Sequence, residues 1–302
     1  MTRGRLWRTG QLVFTGLLIV LLWSAADGPE ILRILAQAQP LWVLAAVVVL
    51  ICQTVLSALR WQITAARLGQ TLHLPHAVKE YFMSQVINQA LPGAVVGDAA
   101  RAVRARTQTG IAIATQAVVF ERLAGQIAMF VTMGCGFVVS YMWAGGLDWP
   151  RAYAASMTTA LAIGSAVIVW VVLGQWFAAL LGQKLAGWMC PFYSALLSKQ
   201  VLPAQIGLGT AITLCNLAAF GLCAWAVGVD LSIAALFAII PIILFSMLIP
   251  FTISGWGIRE GSAAVLLPLA GITASEGVAA SVMFGIAMLL AVLPGLISMV
   301  FK

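Results

Sequence analysis

The sequence predicts an all-α, polytopic membrane protein built as an inverted repeat, and three observations carry that expectation. The first is composition: 62% of the 302 residues are hydrophobic and only 8% are charged, with a mean hydropathy of +1.04. A soluble domain sits near roughly 45–50% apolar and about 25% charged, so too little polar surface remains to cover a water-soluble globule. The second is that the apolar residues gather in runs long enough to cross a bilayer. The third is a Pro–Gly–Arg pattern that breaks an apolar stretch in each half of the chain. Composition also excludes disorder, a collagen-like chain and a secreted disulfide scaffold, and it leaves no room for a sizeable aqueous domain. Residues 1–302 are therefore expected to form one membrane domain, divided into repeats over 1–150 and 151–302.

A spanning helix needs about 20 apolar residues. Residues 11–26, 41–59, 123–143, 154–174, 204–228 and 275–301 meet or approach that length, which predicts six crossings. Two further apolar stretches, 77–107 and 231–272, are interrupted by Pro, Gly and charge and read as re-entrant hairpins. The first run has a second reading. Arg3, Arg5 and Arg8 precede an apolar core that ends in Ser24-Ala25-Ala26, which also fits a cleavable signal peptide. Retention of that helix is what the repeat requires.

Basic residues set the expected orientation. With the N-terminus in the cytoplasm, the inside segments 1–10, 60–109, 175–203 and 302 hold twelve Lys or Arg, and the outside segments hold only Arg33 and Arg151. That asymmetry is a strong topology signal, and the formal charge of +7 is read as its product. The same charge on a soluble chain would suggest nucleic acid, but no nucleic-acid motif accompanies it. The location implied is a cell membrane, bacterial and inner by type. The five cysteines lie in or beside apolar runs without a CxxC, so they read as small membrane-embedded hydrophobes.

The repeat rests on spacing. Pro92-Gly97-Arg101 and Pro250-Gly255-Arg259 share one pattern at an offset of 158 residues, and Asn88 and Ser246 each stand four residues before the proline. Cys52-Gln53 and Cys215-Asn216 recur mid-helix at an offset of 163, as do Pro40 and Pro203 before those helices. Each half then reads helix, helix, broken segment, helix, in opposite orientations, as in many secondary transporters. Proline ends or kinks a helix, and Gly97, Gly255 and Gly257 permit tight backbone turns. Unpaired backbone at membrane depth is tolerated only inside protein or beside a wet cavity. A pair of proline-kinked helices in an ordinary bundle is the plainer alternative.

Ionisable residues in these stretches are the candidate site. A central arginine costs about 2.5–3.5 kcal/mol on insertion scales, so Arg259 with Glu260, and Arg101 with Asp98 at the mirror position, must meet a partner or a cavity. Glu121-Arg122 is a third pair, on a long helix expected over 108–143; a site role and headgroup anchoring both fit it. Arg104 and Arg106 read as inside anchors, and Arg60-Trp61 reads as the headgroup-level end of the second span. Arg101 and Arg259 from opposing broken helices would form a clamp for phosphate or carboxylate. On that expectation Arg259→Ala stops transport without lowering folded yield. Catalytic signatures such as HExxH or GxSxG are absent, and His73 and His76 around Pro75 read as an interfacial turn. No metal and no cofactor is expected, and Asp98, Glu121 and Glu260 are candidate proton carriers.

LRWQ at 59–62, YFMSQVINQALPGAVVGDAARA at 81–102, VFERLAG at 119–125 and ISGWGIREG at 253–261 resemble the flippase-like membrane region of the lysylphosphatidylglycerol synthase/flippase family. The resemblance implies movement of a lipid between leaflets, and not enzymatic conversion, since the aminoacyltransferase domain of the synthases has no counterpart in this chain. It carries Asn88, Pro92, Gly93, Gly97, Asp98 and Arg101 into one motif, Glu121 and Arg122 into an acid–Arg pair, and Gly255, Gly257, Arg259 and Glu260 into a second motif. Where many relatives have Gly-Gly-Asp, this chain has Val96-Gly97-Asp98. The expected partner is a membrane lipid or a lipid-linked anionic molecule, without nucleic acid; a homo-oligomer or an envelope-enzyme partner is left open. Two other classes compete: an embedded enzyme using Glu121 or Asp98 as a base on a lipid headgroup, and a non-catalytic partner of an envelope-synthesis complex.

Overall fold

The fold is seen in a computed structural model that describes residues 14–18, 20–91, 95–107, 109–142, 146–174, 183–249, 252 and 254–300. Among those residues the secondary structure is helical throughout. The chain opens with the apolar stretch α1 (Phe14–Ala25) and the short α2 (Gly28–Ala36). It continues through α3 (Pro40–Arg67), α4 (Leu74–Ala90), α5 (Val96–Arg104), α6 (Gly110–Met142) and α7 (Arg151–Gly174). The second half holds α8 (Gln183–Phe192), α9 (Leu202–Ala226), α10 (Ile233–Ala238), α11 (Ile240–Ser246), α12 (Ile258–Leu266), α13 (Ala274–Ala291) and α14 (Leu293–Val300). Among the described residues five helices are long and apolar enough to cross a membrane: α3, α6, α7, α9 and the α13–α14 unit. The chain is thus a multi-pass, all-α membrane protein.

The core is built on α3 against α9. Buried residues on α3 recur as Ala46, Leu50, Thr54, Ser57, Ala58, Trp61 and Ala65, the i, i+4 stripe of one helix face. Leu217, Phe220 and Cys223 of α9 share one buried core with Ala46 and Leu50 of α3. Lipid tails are as apolar as leucine, so small residues that let backbones close up supply the packing energy. The α3 stripe shows that rule. By contrast, α7 buries almost nothing and presents Ile163, Val167, Val169 and Trp170 outward.

Two breaks interrupt this frame. Leu91 precedes a proline and takes φ −114°, ψ 143°, the extended conformation that the proline ring imposes on the residue before it. That ends α4. The backbone N–H of Gly97 at the start of α5 donates to Asn88 Oδ1 at 2.7 Å, satisfying a helix-start donor that has no intrahelical acceptor. A Cβ on Gly97 would overlap the Ser84 carbonyl, so only glycine lets α5 lie this close to α4. In the second half, Gly255 and Gly257 have φ of +79° and +87°, accessible to glycine at little cost. The Gly257 N–H donates to Glu260 Oε2 at 2.6 Å and starts α12 in the same manner.

The halves interlock through glycines. A Cβ on Gly136 of α6 would meet the Phe237 carbonyl of α10, and one on Gly295 of α14 would meet the Phe82 carbonyl of α4. Each half therefore sends its last helix across the broken segment of the other. Pro92, Gly93 and Pro250, which carry part of the expected motifs, lie outside the described residues.

Candidate functional site

Most of the predicted first-half residues meet in one buried cluster. Glu121 on α6 accepts from Arg60 Nη2 at 2.8 Å, from Arg101 Nη2 at 3.4 Å and from the Tyr81 hydroxyl at 3.3 Å. Asp98 on α5 pairs with Arg101 at 3.1 Å and with Arg122 at 2.9 Å, and accepts from Ser84 and Asn88. The Arg101 guanidinium also stacks 4.5 Å from the Trp61 ring and 4.3 Å from the Tyr81 ring, a cation–π arrangement suited to arginine's planar, weakly hydrated head. Gly125 on α6 allows Arg60 to lie across that helix, since a Cβ there would stand 2.8 Å from its Nη2. Four helices are tied together by these charges.

The second-half residues form a separate, smaller cluster. Arg259 on α12 pairs with its neighbour Glu260 at 2.5 Å, donates to Ser281 of α13 at 2.9 Å, and lies over the Trp256 and Phe284 rings at 5.1 and 5.5 Å. Arg101 and Arg259 share a local pattern: each lies on the short helix before a long one, α5 before α6 and α12 before α13, and reaches a polar side chain on it, Glu121 or Ser281, four residues before a glycine, Gly125 or Gly285. The acid has moved: it stands on the long helix in the first half and beside the arginine in the second.

A cavity of about 270 Å³ lies between the halves, bounded by α3, α4, α6, α9, α11 and α13. One wall is polar. Gln53, Ser57 and Arg60 on α3, Tyr81, Gln85 and Asn88 on α4, and Arg122 and Gln126 on α6 face it, each set at the i, i+3, i+4, i+7 spacings of one helix face. Opposite lie the apolar side chains of Leu244, Phe245 and Leu248 around α11 and of Phe284, Met288 and Ala291 on α13, while Thr213 and Asn216 of α9 and Ser254 add polar groups to the lining. Arg60 and Arg122 are the cations that line it. Arg101 lies behind Tyr81 and Arg259 behind Phe284 and Met288, each one side chain away from the space where the expected clamp would have placed them. Both are completely enclosed by partners. Of the twelve residues expected at the site, Asn88 and Arg122 line the cavity, and Gly97, Asp98, Arg101, Glu121, Gly255, Gly257, Arg259 and Glu260 stand behind it.

Arg60 and Trp61 differ from their expected headgroup position. Both are buried because α3 runs on to Arg67, which sets Arg60 about 10 Å before the helix end. Gln85, Gln89 and Gln126 were not singled out from sequence. The signal for them is a polar residue every three or four positions in an otherwise apolar or mixed helix.

A family model described as the lysylphosphatidylglycerol synthase TM region matches residues 9–295. The chain belongs to that family. No curated protein and no solved structure matches it. Membership fixes a membrane protein of a lipid-related family, in agreement with the resemblance carried by the quoted motifs, and gives the cavity its context.

Proposed function

We propose that this family member carries an anionic lipid or lipid-linked molecule between leaflets by alternating access, leaving it chemically unchanged. The carrying observation is the division of the cavity into a polar wall with two arginines and an apolar wall from α11 and α13. An amphipathic guest fits such a space, headgroup against one wall and chain against the other. The glycine-mediated crossings and the shared local pattern of Arg101 and Arg259 support the repeat that alternating access requires. In this reading the halves rock about the α3–α9 seam, with the N-terminus in the cytoplasm of a cell membrane.

Transport rather than conversion is favoured by the state of the carboxylates. Asp98 and Glu121 each hold two arginines and neither lines the cavity, which leaves no poised base beside a guest. The test is leaflet exchange of a fluorescent anionic lipid in proteoliposomes of the full chain, with headgroup mass spectrometry on the recovered lipid. Exchange above that of protein-free vesicles, with unaltered lipid mass, is expected. A changed headgroup mass would replace the transporter with an embedded enzyme.

A further inference from the structure

We propose that the headgroup taken by this cavity carries one anionic phosphodiester and otherwise only uncharged hydroxyl groups, and that amine-bearing, aminoacylated headgroups are rejected. The inference rests on the transport reading for why a lipid enters at all, but its chemistry comes from the lining.

Charge is the first ground. Arg60 and Arg122 line the cavity, and among the described residues no Asp or Glu does. With Arg101 they make three guanidiniums that share two carboxylates, of Asp98 and Glu121, so the cluster holds one uncompensated positive charge. At low dielectric that charge acts with little screening. A single anionic group neutralises it, whereas an ammonium meets like charge, a juxtaposition that interfaces use to exclude wrong partners.

Unused donors are the second ground. Arg60 has a side chain only 4% exposed, and among the described residues its Nη1 has no hydrogen-bond partner, nor has Nε of Arg122. A buried donor without an acceptor is costly; both atoms are enclosed in this state, and a phosphate oxygen, the acceptor that guanidinium geometry matches best, would relieve either one once its side chain turns it into the cavity. The third ground is Gln89. Its side-chain oxygen already accepts from Ser254 at 2.6 Å, which leaves its amide donor for a hydroxyl oxygen of the guest, an acceptor that an ammonium does not offer.

Binding is read by native mass spectrometry of the full chain in detergent, titrated with phosphatidylglycerol, lysylphosphatidylglycerol and acyl-free glycerophosphoglycerol. Phosphatidylglycerol is expected to bind at least about tenfold more tightly than the lysylated lipid. Gln126→Glu, which puts a carboxylate on the lining, should narrow or reverse that preference, and Arg122→Gln should weaken phosphatidylglycerol selectively. Equal or tighter binding of lysylphosphatidylglycerol by the unmodified chain overturns the proposal whether or not either variant folds. Acyl-free headgroup binding as tight as the lipid would overturn the lipid assignment. Leaflet exchange is not needed for these readings, so a protein that binds as expected and moves no lipid would sink the transport reading alone.

Discussion

Glu121 shows how single residues set this site. Fully buried, it accepts from Arg60, Arg101 and Tyr81, so removing it strands the Arg60 guanidinium and leaves Arg101 with Asp98 alone. Breaking a buried pair by deleting one partner costs about 3–5 kcal/mol. Glu121→Ala is therefore expected to lower the melting temperature in detergent sharply, and Glu121→Gln, which keeps an acceptor oxygen, to lower it less. Arg259 belongs to the same class. Enclosed by Glu260, Ser281 and two aromatic rings, it should reduce folded yield when changed to alanine, contrary to what its sequence context suggests. Arg122 differs: with 41% of its side chain exposed toward the cavity, Arg122→Gln should fold at normal yield and lose exchange. The charged pairs were legible in the sequence because charge in an apolar run is conspicuous. Which arginine faces the guest was not, since Tyr81 and Phe284 interpose themselves only in three dimensions. Arg60 looked like a helix-end anchor because hydropathy falls at Arg60-Trp61, whereas the helix itself continues to Arg67.

The helices are held in place where backbone closes on backbone. Gly136 and Gly295 each face a carbonyl of the opposite half's broken segment, and a carbonyl cannot rotate away as a side-chain tip can. Gly136→Ala and Gly295→Ala are each expected to cost about 1–3 kcal/mol, the range for overpacking, read as a fall in melting temperature. Gly207→Ala in α9 is the control: a Cβ there meets nothing within 4 Å, and alanine's helix propensity exceeds glycine's by up to about 1 kcal/mol. That variant should be unchanged or slightly more stable. The long helices and both breaks could be read from apolar run length and from the Pro–Gly–Arg spacing. The crossings could not, because a glycine against a distant carbonyl leaves no local pattern. Polar residues at helical spacing on α3, α4 and α6 did leave one, masked by the chain's overall apolarity.

For the whole molecule, two halves hold one cavity between them, and the proposed transport requires that cavity to open to each leaflet in turn. The orientation expected from the basic residues predicts that cysteines placed at Arg33 and Arg151 react with an impermeant maleimide from outside intact cells, and that one placed at Lys199 does not. Reaction of the Lys199 position alone would invert the topology. On the proposed function a lipid travels through the space bounded by Arg60, Arg122 and the side chains of α11 and α13. Leaflet exchange in proteoliposomes by Gln126→Trp, whose indole fills that space, beside Ile163→Trp on the outward face of α7 reads this directly. The first variant is expected to lose exchange while remaining folded and the second to exchange like the unmodified chain; undiminished exchange by folded Gln126→Trp would rule out that path.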